Sequence, residues 1–245
     1  MATPPTSSHT FDPPPSLQDA CLLSIGSNLH RFDITGLGTD GLSHDIAARL
    51  LQVSADEKTL DDESLLYLLS LCGAQLESFS IPFANVTAGA IDQAVAALPC
   101  AALLRLNGLP VNDDTLAVIA TRCPALTDLR LYGCTEFGDR GLLAFTKHAA
   151  RKDSMRGLDI SLTDDARLTA SGITAFAEHH AGSLESLCLA WCMVVDDGLL
   201  ATLAGTCRNL TELVLARCRV RGLCGVEAAM WWGGESAGES LLGTH

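Results

Sequence analysis

The sequence is poor in aromatic residues and in positive charge. Phe, Trp and Tyr account for 5% of the 245 residues, and 16 Lys and Arg stand against 29 Asp and Glu, for a formal net charge of −13. Binding to a phosphate backbone needs a basic surface, so we expect no direct nucleic-acid binding. The excess of acid favours a basic protein partner instead. No apolar run approaches the roughly 20 residues of a membrane span, and the Pro-rich start is not a signal peptide, so no membrane contact is expected.

Motifs of known catalytic sites are missing too. The chain contains no P-loop, no nucleophile elbow and no H-E-x-x-H pattern. Residues 36–41 spell G-x-G-x-x-G, but no long strand precedes them and Asp61 is predicted to open a helix, so no dinucleotide site is expected. His179 and His180 fall where a helix is predicted to end, a position that positive charge stabilises. We therefore predict a protein that is not an enzyme and has no cofactor and no metal ligands.

Ten cysteines are present, but no two of them form a C-x-x-C pair. Their spacing instead follows a repeat, which is typical of buried free thiols that act as small apolar side chains. Free thiols persist in reducing compartments, so the nucleus and/or the cytoplasm is the expected location. One repeat position holds Cys134, Cys192 and Cys218, and a helix-to-strand junction holds Cys72, Cys123 and Cys207.

The chain is organised around a repeated motif whose clearest copy spans residues 123–134. Its leucines alternate as in a strand, Cys134 closes that strand, and residues 141–145 have helical spacing. A unit of strand, turn and helix recurs about every 26 residues. Such a unit cannot bury its apolar face alone, so neighbouring units must stack on one another. The central strand positions of the six copies, separated by 25 to 29 residues, are Phe79, Leu104, Leu129, Leu158, Leu187 and Leu213.

This motif, with cysteine at its end, resembles the leucine-rich repeat of the cysteine-containing subtype. The resemblance implies an α/β fold, a leucine-rich-repeat solenoid (horseshoe) with parallel inner strands, outer helices and a helical N-terminal cap. We expect a disordered N-terminus over 1–15, the helical cap over 16–60, repeats over 61–223 and an irregular tail over 224–245. Periodicity predicts helices over 42–53 and 60–71. The repeat helices are predicted to begin at the N-cap residues Asp113, Asp139, Ser171 and Asp197.

A second resemblance lies at the start of the predicted cap. Residues 16–25 are similar to the elongin-binding box, which consists of a small residue, Leu, three residues, Cys, three residues and an aliphatic residue. In that family a short helix docks into a groove of elongin C. By this match Leu17 is the anchor, Cys21 the second contact and Ile25 the flank, on one stripe of a helix. The alternative is that these residues only complete the cap.

Residues 16–69 as a whole resemble the start of the leucine-rich-repeat subunit of the fungal nucleotide-excision-repair ubiquitin ligase. The shared features are the Ser-Leu-x-x-x-Cys helix, the Asn28-Leu29 step, the apolar helix at 42–50 and Leu-Asp-Asp-Glu at 60–63. The resemblance implies a non-enzymatic adaptor, the substrate-recognition subunit of a cullin-type E3 ubiquitin ligase. Elongin C and a cullin are then partners, and another subunit holds the DNA. The alternative is a general leucine-rich-repeat interaction scaffold, or an F-box-type adaptor, with no role in repair.

The concave side of the predicted sheet is the expected partner-binding face. Arg105 and Arg130 occupy equivalent positions one repeat apart, and such a basic cluster suits an acidic or phosphorylated segment. The alternative is an ordinary solvated sheet surface. We also expect Trp191 and Arg217 to share the repeat position of Tyr132. The candidate binding residues are Arg105, Asn107, Asp128, Arg130, Tyr132 and Asp159.

Overall fold

The computed structural model of the chain describes residues 17–29, 43–147, 152–163 and 167–220. The predictions for residues 1–15, for the glycine motif at 36–41 and for the tail at 224–245 lie outside these ranges. The helices are α1 (Leu17–Gly26), α2 (His44–Asp56), α3 (Asp62–Cys72), α4 (Ala88–Ala96), α5 (Asp113–Arg122), α6 (Asp139–Thr146), α7 (Ala170–His179) and α8 (Asp197–Thr206). The strands are β1 (Ser78–Ser80), β2 (Leu103–Arg105), β3 (Asp128–Arg130), β4 (Gly157–Asp159), β5 (Ser186–Cys188) and β6 (Glu212–Val214).

The six strands form one parallel sheet in chain order. Each strand is three residues long, and its central side chain points away from the exposed sheet face because side chains alternate along a strand. The predicted strand positions lie side by side in register, from Phe79 through Leu104, Leu129, Leu158 and Leu187 to Leu213. The leucine-rich-repeat solenoid that the sequence predicts is therefore confirmed.

The first helices close the N-terminal end of the stack, as predicted. Ser43 and Asp61 are the N-cap residues of α2 and α3, and each accepts a hydrogen bond from a backbone N–H of the first turn. Helix α1 packs on α2 at Gly26, where a Cβ would lie 2.4 Å from Val53 Cγ1. Among the described residues, no helix combines the length and apolarity that crossing a bilayer requires.

The repeat cysteines are free thiols that bridge neighbouring units. Cys134 is fully buried, and its thiol donates to the carbonyl of Leu106 in the preceding repeat at 3.1 Å. Cys192 donates in the same way to Ile160, one repeat earlier. A small apolar side chain with a weak donor fits this position because it fills the core and donates to a carbonyl of the preceding repeat.

All four predicted N-cap residues of the repeat helices are wrong, by one or two positions. The N-caps are Asn112, Gly138, Thr169 and Asp196, whereas Asp113, Asp139 and Asp197 begin their helices and Ser171 lies inside α7. The physical reason is that Asp113 and Asp139 accept hydrogen bonds from the helix start of the following repeat and not from their own helix.

These contacts between repeats recur along the outer edge of the stack. Asp62 accepts from the backbone N–H of Thr87 at 2.8 Å and from its hydroxyl at 2.7 Å. Asp139 makes the same pair of contacts with Thr169, at 2.8 and 2.6 Å. Helix N-termini carry unpaired N–H groups and a partial positive charge, so a carboxylate stabilises them from the neighbouring unit as well as from their own.

A second recurring feature is a left-handed residue just after each strand. In the first five of these repeats its backbone N–H donates to the next repeat at 2.7–2.9 Å, so the ladder of hydrogen bonds continues beyond the sheet. Trp191 and Arg217 occupy this position, which corresponds to Gly133 and not to Tyr132. The prediction that they share the repeat position of Tyr132 is therefore wrong by one residue. We call this row the turn ridge; it consists of Phe83, Gly108, Gly133, Leu162, Trp191 and Arg217, with φ between 55° and 72°.

Candidate protein-binding faces

Two rows of side chains cover the exposed face of the sheet, the concave face. The register of the strands aligns both rows across all six repeats. The first row contains Ser78, Leu103, Asp128, Gly157, Ser186 and Glu212. The second row contains Ser80, Arg105, Arg130, Asp159, Cys188 and Val214.

A basic pair stands at the centre of the second row. Arg105 and Arg130 are Cα partners on β2 and β3, so the two side chains leave the same row of the sheet on adjacent strands. The Nε atom of Arg105 is buried and has no hydrogen-bond partner among the described residues. An unpaired buried donor costs about 1–3 kcal/mol, and a bound carboxylate or phosphate would remove that cost.

A shallow depression lies beside this pair, between Asp128 and Asp159. Its floor is Gly157, where a Cβ would lie only 2.5 Å from Asp128 Oδ1. The hydroxyl of Thr127 donates to the other oxygen of Asp128 at 2.6 Å and fixes the carboxylate. The depression was not predicted, although a glycine in the row of outward-facing residues was the available signal.

The other wall of the depression is a polar cluster around Asp159. The backbone N–H of Ser161 donates to Asp159 Oδ1 at 3.0 Å, and the Ser161 hydroxyl lies 2.9 Å from the Cys188 sulfur. Burial, together with the charge of Asp159, raises the pKa of Cys188 to about 11. A thiol that stays protonated is a poor nucleophile.

The remaining two predicted residues connect the sheet to its rim. Asn107 accepts a hydrogen bond from the backbone N–H of Tyr132 at 3.1 Å, so its amide holds two repeats together. The Tyr132 side chain is 38% exposed. The structure therefore places Arg105, Asp128, Arg130 and Asp159 on the face itself, with Asn107 and Tyr132 at its edge.

The elongin-docking candidate is helix α1. Leu17 begins the helix, Cys21 is exposed, and Ile25 is half-buried against the core. Leu22 anchors the helix, because its side chain is 5% exposed. Leu23 is 42% exposed and lies about 200° around the helix from Cys21, on a different side.

No protein-family model matches the chain. Among solved structures, the chain is similar to the crystal structure of the Rad7 and Elc1 complex in yeast, with 20% sequence identity, a TM-score of 0.50 and coverage of 82% of this chain and 59% of that chain. It is also similar to actin-binding site 2 of leiomodin-1 (14% identity, TM-score 0.47, covering 60% of this chain and 87% of that chain). A third is the tropomodulin C-terminal domain of Caenorhabditis elegans (12% identity, TM-score 0.47, covering 61% and 93%).

The likeness to Rad7 supports the repeat fold that the residues predict. The chain spans 59% of the length of the matched chain in that complex. At 20% identity the comparison shows the fold alone, and the leucine-rich-repeat resemblance is confirmed at that level. Within the described residues, no group of three or more His, Cys, Asp or Glu is placed to hold a metal ion.

Proposed function

We propose that the chain is a non-enzymatic adaptor, the substrate-recognition subunit of a cullin-type E3 ubiquitin ligase linked to nucleotide-excision repair in the nucleus. The observation that carries this proposal is the state of helix α1. The helix lies outside the repeats, is anchored through Leu22, and leaves Cys21 exposed. A short helix with a free side suits docking into a groove of a partner.

The two ends of the adaptor have separate roles in this proposal. Helix α1 recruits elongin C and, through it, a cullin, while the concave face holds the substrate protein. The solved structure of Rad7 as a complex with Elc1 supports a protein partner of this kind. The net charge of −13 leaves contact with DNA to another subunit.

The first experiment replaces the docking residues of α1. In a pull-down of the full chain with purified elongin C, the double variant Leu17→Ala/Cys21→Ala is expected to weaken capture at least tenfold, because anchor side chains carry most of the energy of such an interface. Leu23→Ala is the matched control, since it removes an exposed apolar side chain from another side of the same helix. Equal capture by all three proteins would show that residues 16–25 only complete the cap and would leave a general scaffold.

The second experiment addresses the substrate face. We propose that Arg105 and Arg130 bind an acidic or phosphorylated segment of the substrate. In titration calorimetry with a peptide containing two phosphoserines, Arg105→Ser/Arg130→Ser is expected to reduce affinity at least tenfold, because two charge-assisted contacts are lost.

The control for this experiment is Arg122→Ser. It removes a positive charge from the last turn of α5, away from the sheet, and is expected to leave the affinity within twofold of the original chain. If Arg122→Ser weakened binding of the peptide as much as the double variant does, the binding would reflect overall charge. The proposal that the concave face binds the substrate segment would then be wrong.

A further inference from the structure

The turn ridge exposes apolar side chains where the backbone is least favourable for them. Phe83 is 52% exposed, Leu162 41% and Trp191 46%, and all three have a positive φ. Glycine occupies the equivalent position in two repeats and adopts this conformation without steric conflict. Bulky residues in the left-handed region are outliers that mark strain or function. The three side chains therefore reduce stability twice, by conformation and by exposure.

Two apolar side chains of the ridge lie against its two glycines. The ring of Phe83 lies over Gly108, within 2.4 Å of where a Cβ would stand, and Leu162 Cδ2 is 4.0 Å from the equivalent point at Gly133. The two glycines thus provide room for the side chains of neighbouring repeats. Repeats at this ladder are about 4.8 Å apart, so Phe83 and Arg217 are separated by roughly 24 Å, the span of an extended peptide of about seven residues.

Each end of the ridge carries a cation above an aromatic ring. Lys58 Nζ lies 5.9 Å from the centroid of Phe83, and the guanidinium of Arg217 lies 5.2 Å from the centroid of Trp191. These charges oppose the net charge of the chain.

The aspartates behind the ridge are directed elsewhere. Asp62 and Asp139 each accept two hydrogen bonds at the helix start of the next repeat, and the carboxylate of Asp113 does the same for Gly138 and Gly141. Their charge is therefore engaged at the helix N-termini. Lys58 and Arg217 place a positive charge at each end of the ridge.

We propose that the turn ridge binds an extended peptide segment of a partner protein, with apolar side chains at its centre and carboxylates at both ends. This surface is separate from helix α1 and from the two rows of the concave face. It does not depend on the ligase assignment, because it rests on the ridge residues alone.

The probe is a fluorescein-labelled nonapeptide, Asp-Glu-Leu-Phe-Val-Leu-Phe-Glu-Asp, measured by fluorescence anisotropy with the full chain at low salt. The control peptide carries Lys at its four terminal acidic positions. We expect the acidic peptide to bind at least tenfold more tightly than the control peptide. Equal affinity, tighter binding of the Lys peptide, or no binding of either would overturn the proposal.

Variants of the chain separate the ridge from other surfaces. Trp191→Asn is expected to weaken binding of the acidic peptide at least tenfold. It should not lower the melting temperature of the chain, because Asn tolerates a positive φ. Arg217→Ser is expected to weaken this binding several-fold, and Arg122→Ser in the last turn of α5 is expected to leave it unchanged. Unchanged binding by Trp191→Asn would refute the assignment. So would a dimer in sedimentation analysis that Trp191→Asn dissociates, since a second copy would then be the occupant.

Discussion

Asp113→Ala is expected to destabilise the chain by about 3 kcal/mol. Asp113 Oδ1 accepts hydrogen bonds from the backbone N–H groups of Gly138 at 2.8 Å and Gly141 at 2.9 Å, both at the start of α6. Gly138 is the N-cap of that helix and has no side chain to act as an acceptor. The preceding repeat therefore supplies the missing carboxylate. The alanine variant leaves the Gly138 N–H without this acceptor and the Gly141 N–H with only the Gly138 carbonyl, at 3.1 Å.

The neighbouring aspartate provides a control of the same charge. Asp114 forms an ion pair with Arg140 at 2.7 Å, and both side chains are 73% exposed. Exposed pairs contribute about 0.2–1 kcal/mol, so Asp114→Ala is expected to have a small effect. Asp113→Asn keeps an acceptor oxygen without the charge and should fall between the two alanine variants. Urea unfolding of the three variants measures the order; equal losses for Asp113→Ala and Asp114→Ala would contradict this account of the contact.

The repeat fold could be predicted from the sequence because its cause is local. Alternating apolar residues at Leu129 and Leu131 define a strand, and their recurrence defines the neighbour on which that strand must pack. The register of Arg105 beside Arg130 follows directly, because the two residues have the same offset from their strand leucines. Every repeat confirms the same offset, so a single motif determines the whole sheet.

Contacts that cross between repeats could not be predicted in the same way. The acceptor Asp113 and its donor Gly138 are 25 residues apart, and within its own helix Asp113 is indistinguishable from a helix N-cap. The residues with a positive φ could not be predicted either, because only Gly108 and Gly133 are glycines, the residue type that usually marks this conformation. The predicted repeat position of Trp191 is wrong by one residue for this reason. The structure reveals the contacts between residues of different repeats.

Stability is expected to fall steeply above pH 9. Burial raises the pKa of Cys72 and of Cys134 from the ordinary 9.0 to about 11, with smaller effects of backbone hydrogen bonds that oppose this rise. Between pH 9 and 11 the unfolded chain loses these protons while the folded chain keeps them. The unfolded state is favoured by deprotonation, so the stability that these thiols contribute is complete below pH 9 and is lost as the pH rises to 11.

The size of the effect follows from the shift of about two pH units. Each unit corresponds to about 1.4 kcal/mol, so each of the two thiols removes on the order of 3 kcal/mol across this range. Cys134 is fully buried and Cys72 is 1% exposed, so solvent does not screen either group. Together they affect stability more than any single hydrogen bond between repeats.

The measurement is urea unfolding at pH 7.5, 9 and 10.5 in the presence of a reductant. Cys134→Ala is expected to be less stable than the original chain at pH 7.5, because it loses the buried sulfur and its contact with the Leu106 carbonyl. Its stability should nevertheless decline less between pH 9 and 10.5. Cys100→Ala changes an exposed thiol and should follow the original chain at every pH. A decline in Cys134→Ala as steep as in Cys100→Ala would mean that the thiol between two repeats does not resist ionisation.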